Sequence, residues 1–122
     1  MALGKEIGTF SLKSTSTRYA EGGGSVEITY DGTATGFGTV LGTMILRGAQ
    51  GAKGGPCSWT GQGFLENGEV VSGVGQGTWE ELGKHQWRTR MIVATTDGHT
   101  HASDGKLDLA SRSLSGKMFD WS

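Results

Sequence analysis

Apolar residues in this chain come in short runs that alternate with polar ones, and no run holds the three-to-four-residue spacing of an amphipathic helix. Windows of a dozen residues are all interrupted by Gly, Thr or Ser, which are poor helix formers. Strand-like runs recur instead at roughly 14-residue intervals, with turn signals between them. Asn67-Gly68 and Asp97-Gly98 are the preferred pairs of two-residue type I′ hairpins, and Gly83-Lys84 suits type II′. Ser111-Arg112 marks a further turn between Leu109 and Leu114. The strands so bounded cover 5–16, 24–35, 38–47, 56–66, 69–82, 85–96, 99–110 and 113–121, with glycine-rich loops at 21–24 and 48–55. The pattern predicts an all-β fold, a single antiparallel up-and-down barrel of about eight strands filling one domain over 1–122.

Two-residue turns would oppose Leu65 with Val70 and Phe64 with Val71, and directly opposed residues share a face. Carried through the later turns, this register sorts the second half of the chain into two faces. Trp59, Val70, Val74, Gln76, Trp87, Thr89, Met91, Val93, Lys106, Asp108 and Lys117 fall on one. Gln62, Phe64, Gly73, Gly75, Gly77, Trp79, Glu81, Arg88, Arg90, Ile92, His101, Ser103, Leu107, Leu109, Leu114, Met118 and Asp120 fall on the other. In the last two strands the leucines oppose Lys106, Asp108 and Lys117, so the leucine face is expected inside. Val70, Val74, Met91 and Val93 would then form an outer apolar patch, the expected contact of a homodimer or homotrimer.

Composition narrows the function classes. The 122 residues carry 11 Lys+Arg and 12 Asp+Glu, a net charge of -1 without the basic excess of a nucleic-acid binder. Cys57 is the one cysteine, so no internal disulfide framework exists and a reducing cytoplasm is the expected home. No apolar run approaches the ~20 residues of a membrane helix. Met1 to Phe10 lack the pattern of a signal peptide. Glycine, 23 residues, is far above the average of about 7%. Among four Trp, four Phe and regular aliphatics it reads as curved sheet and not as disorder.

Two arginines carry the strongest chemical signal. Arg88 and Arg90 lie two apart in a strand and share a face. In the lumen they would either join a carboxylate network with Glu81 and Asp120 or hold an anionic or carbonyl oxygen of a ligand; with the register shifted by one, both would face water instead. Trp79, Phe64 and Met118 would line the same cavity, and Glu81, His101 or Asp120 would move a proton. His99 and His101 form an H-x-H pair without the third ligand a metal needs, so no metal or cofactor is expected. Cys57 reads as a small core residue, and Tyr30 as a possible proton donor.

The glycine-punctuated run from Gly32 to Gly42, the block Gly61-Gln62-Gly63 and the eight-strand meander resemble the small bacterial, calycin-like barrels related to allene oxide cyclase and dirigent proteins. That resemblance implies a cavity in the barrel, oligomers formed through outer strand faces, and in some members a cyclase or isomerase activity. The expected function is a cofactor-independent cyclase, isomerase or lyase acting on a small, partly apolar molecule. A non-catalytic ligand-binding barrel and a structural protein with a filled core are the alternatives.

Overall fold

Alternation and turn chemistry produce the strands that the pattern demands. The computed structural model describes residues 3–48 and 51–121. Met1 and Ala2 of the N-terminal reading, residues 49–50 of the 48–55 loop and Ser122 at the end of the expected domain lie outside them. The strands are β1 (Leu3–Ala20), β2 (Ser25–Ala34), β3 (Gly38–Arg47), β4 (Gly54–Phe64), β5 (Val70–Gly83), β6 (Gln86–Thr95), β7 (Thr100–Asp108) and β8 (Ser113–Trp121). Each pairs antiparallel with the next, and β8 returns to β1, so the barrel is closed. The only helical piece among the described residues is a 3₁₀ turn at Glu21–Gly23. β1 is longer than expected. Its first part pairs with β8 as far as Lys13↔Ser113, and its second part runs on with β2 to Ala20↔Ser25.

The hairpins carry one feature that the two-residue reading misses. At Asn67-Gly68, Leu65 N–H donates to the Glu69 carbonyl and Gly68 N–H to the Leu65 carbonyl, which makes a three-residue loop. Thr95, Gly98 and His99 repeat the arrangement at Asp97-Gly98. Gly68 and Gly98 take φ of 92° and 88°, the left-handed conformation that closes a type I turn with a bulge. Asn67 and Asp97 accept a bond from the backbone N–H two residues on, which favours this turn over type I′. At the third hairpin the turn lies at Lys84-His85, and the register slips by one between Glu81 and Gly83.

Each slip reverses the face of the strand beyond it, since side chains alternate with a period of two. Relative to β5, β4 and β6 are therefore inverted from the expectation. Cys57, Trp59, Gly61 and Gly63 point inward on β4, and Trp87, Thr89, Met91 and Val93 do so on β6. A second slip at Gly98 restores the expected face on β7, where His101, Ser103 and Leu107 are buried. The loop between Asp108 and Ser113 differs from the expectation by an even count, so Leu114 and Met118 stay inside, while Leu109 is exposed. The proposed outer patch of four residues is corrected accordingly. Val70 and Val74 are exposed, but Met91 and Val93 are core residues.

The lumen is filled unevenly. At the end carrying the β1–β2, β3–β4, β5–β6 and β7–β8 connections, Ile28, Tyr30, Met44 and Leu107 pack with Trp79 and Trp87. The Trp59 indole lies across Gly42 and Gly61, where a Cβ would collide with its ring, and meets the Tyr30 ring at 6.5 Å. Burial raises the Tyr30 hydroxyl well above its ordinary pKa and pushes Cys57 up to about 11, so neither ionises near neutrality.

One close approach fixes how tightly β5 and β6 coil together. A Cβ on Gly77 would overlap the Arg90 carbonyl oxygen, an atom of backbone that cannot move aside. Gly83, by contrast, has open space where a Cβ would stand and needs no positive φ. Gly77→Ala is expected to cost about 3 kcal/mol, whereas Gly83→Ala should be neutral or stabilising by less than about 1 kcal/mol. Urea unfolding of the two variants checks this.

Candidate ligand cavity

The opposite half of the lumen holds less side-chain volume. Gly61, Gly63 and Gly73 project nothing into it, and a cavity of about 90 Å³ remains there. Phe10, Val40, Trp59, Val71, Met91, Val93 and Met118 make its walls. They come from β1, β3, β4, β5, β6 and β8, so the whole circumference contributes. The β2–β3, β4–β5 and β6–β7 loops surround the mouth. Phe37, in the β2–β3 loop, stands at the rim with its backbone and Cβ against Gly63, its ring centroid 5.7 Å from that of His101. Thr35 holds this loop to β1, its N–H and hydroxyl both donating to the Thr9 carbonyl while Thr9 N–H donates back to the Thr35 hydroxyl.

Polar groups are few: Gln62 touches the cavity from β4, and the others sit on β6 and β7. His101 and Ser103, two residues apart on β7, are each 8% exposed and line the cavity. Thr89 and Thr95 face it from β6. Burial holds the His101 imidazole below its ordinary pKa, against a weaker upward pull from the Asp97 carboxylate. The ring is therefore neutral at pH 7, with one nitrogen to donate and one to accept. Ser103 lies between Met91 on β6 and Met118 on β8 in the ladder, and its Oγ is buried without a protein partner.

The arginine pair is a correction. Inversion of β6 carries Arg88 and Arg90 to the outer surface. There the Arg88 guanidinium donates from Nε to Asp104 Oδ1 at 2.9 Å and from Nη2 to Oδ2 at 2.6 Å. Arg90 Nη2 donates to Glu80 Oε1 at 2.5 Å. Asp104 is held below the usual carboxylate range by its bond from Arg88. The partners are Glu80 and Asp104 on the flanking strands, and not Glu81 and Asp120, both of which are exposed. Phe64 is 37% exposed and pairs with Val70 outside the lumen. Trp79 is interior but lies in the filled half, its indole N–H donating to the Arg47 carbonyl at 2.8 Å.

Of the eight residues singled out from the sequence, His101 and Met118 reach the cavity. Those missed are Ser103, Thr89, Phe37, Met91 and Val93. The signal for Ser103 was present, since it shares a face with His101 and Leu107. His99 is exposed and pairs with Asp97, its Nδ1 3.2 Å from Oδ2. Among the described residues no three His, Cys, Asp or Glu side chains come close enough to hold a metal ion, and no helix is long and apolar enough to cross a membrane. The chain matches no family model, no curated protein and no solved structure.

The titration of His101 has a definite sign. Its pKa is depressed in the folded state, so the unfolded chain takes up the proton first. The folded state is favoured fully above pH ~6.5 and loses that advantage as pH falls, until the buried ring also protonates. Asp97, lowered chiefly by the Thr95 hydroxyl, and Asp104 act in the same direction, but only near and below about pH 4. Urea midpoints measured at about pH 7 and about pH 5.5 should therefore fall for the wild type and stay level for His101→Phe. Arg88→Met and Arg90→Met, which disrupt partly exposed pairs, should each lower the melting temperature by a few degrees at most.

Proposed function

We propose that this barrel binds a small, mostly apolar molecule in the open half of its lumen. One observation carries the reading: a closed barrel packed solid at one end keeps a cavity of about 90 Å³, walled mostly by apolar side chains, at the other. Packed interiors rarely leave such space empty, and apolar pockets with a few convergent polar groups are the usual form of small-molecule sites.

Binding is favoured over catalysis because of what surrounds the cavity. Isomerisation with an anionic intermediate needs a charge-stabilising group and a proton-transfer pair within reach of the substrate. Arg88 and Arg90 lie outside the barrel, and Glu81 and Asp120 are exposed, so among the described residues His101 is the one titratable group on the cavity wall.

Toluene is a suitable first probe, being ring-sized and without polar groups. Titrated into labelled protein, it should shift the methyl resonances of Val71, Met91 and Met118 and leave those of Ile28 and Met44 in place. Val71→Phe fills the cavity from β5 and should weaken the binding at least tenfold, with the rest of the spectrum intact. Shifts spread over the outer surface, or none at all, would dispose of the lumen as a binding site.

A further inference from the structure

The polar atoms on β7 ask for something that the protein does not supply. Ser103 Oγ is enclosed and has no hydrogen-bond partner. Its two ladder neighbours are Met91 and Met118, whose sulfur atoms are weak acceptors and cannot donate. One step along the same face stands His101, buried to the same degree and neutral. Its ladder neighbours are Val93, which is apolar, and Asp120, which is exposed. Leaving a buried hydroxyl unsatisfied is costly, and Ser103 and His101 both line the cavity, so a polar group of a bound molecule is placed to complete the pair.

Charge decides what that group can be. Among the described residues no Lys, Arg, Asp or Glu lines the cavity, and the cations nearest in sequence are committed to Glu80 and Asp104 outside. A carboxylate or an ammonium would be buried here without a counter-ion. An uncharged ligand avoids that penalty. A hydroxyl both donates and accepts, so it can give its hydrogen to the acceptor nitrogen of His101 and receive the hydrogen of Ser103. An apolar body of about one ring would fill the space between Trp59, Val71, Met91 and Met118.

Resting on the reading that the lumen binds ligands, we infer that it selects an uncharged, ring-sized apolar molecule bearing one hydroxyl group, held between Ser103 and His101. Phenol, toluene and benzoate differ at one substituent and separate the possibilities. In calorimetric or ligand-observed titrations, phenol should bind several-fold more tightly than toluene, and benzoate should not bind. Ser103→Ala removes an orphaned hydroxyl, so the variant should fold at least as stably as the wild type. It should reverse the order, with toluene tighter than phenol. His101→Phe should weaken phenol and spare toluene. Toluene binding more tightly than phenol in the wild type, or an unchanged ratio in Ser103→Ala, would overturn the inference and leave the binding reading standing. If none of the three binds, the binding reading falls, and the inference with it.

Discussion

Everything inside this barrel depends on the alternation of side chains across strands that have no freedom to slip. In a closed antiparallel barrel each strand is held on both edges, so its inward face is decided by the number of residues in the loops that deliver it. One residue more or less exchanges core for surface along the whole strand. Three loops take that decision. Left-handed Gly68 and Gly98 each add a third residue to their loops, and the register shift beside the Lys84-His85 turn adds one more slip; together they turn Trp59, Met91 and Val93 inward and the arginines out.

This explains which parts of the molecule could be read from the chain alone. Strand existence and extent follow from local alternation and turn residues, and the eight strands lie within a few residues of where those signals put them, β1 excepted. Faces are cumulative. Asn-Gly is compatible with a two-residue and a three-residue loop, and the distinction lies in a single Asx hydrogen bond that composition does not reveal. Two miscounts cancelled at β7, so His101, Leu107, Leu114 and Met118 were placed correctly. Between them β6 was inverted, and the site built on Arg88 and Arg90 went with it. The ion pairs themselves were foreseeable in kind, because a cation in a strand needs a carboxylate on a neighbouring one. Which carboxylate depended on the register.

What the inversion leaves in the lumen is chemically quieter than a pair of cations. The guanidinium groups satisfy one another's partners across β5, β6 and β7 in water, where such pairs contribute little to stability. The interior keeps a neutral imidazole and a few hydroxyls against aromatic and thioether surface. A ligand placed there would be selected by shape and by single hydrogen bonds, and an anion would find no counter-charge.

The length of β1 has a consequence of another sort. Closure removes sheet edges, yet β8 accompanies β1 only to Lys13, and the stretch from Thr15 to Ala20 is backed by β2 alone. Its other edge presents backbone donors and acceptors that any extended chain could adopt, which is how sheets grow without limit between molecules. The register shift between Ser14 and Ser16 bends the strand just where the cover ends, and Arg18 places a charge in the exposed stretch. Irregular pairing and a charged side chain on an otherwise Ser- and Thr-rich edge are among the means by which β proteins stay apart in solution. In this chain they protect the stretch of β1 that runs past its partner β8.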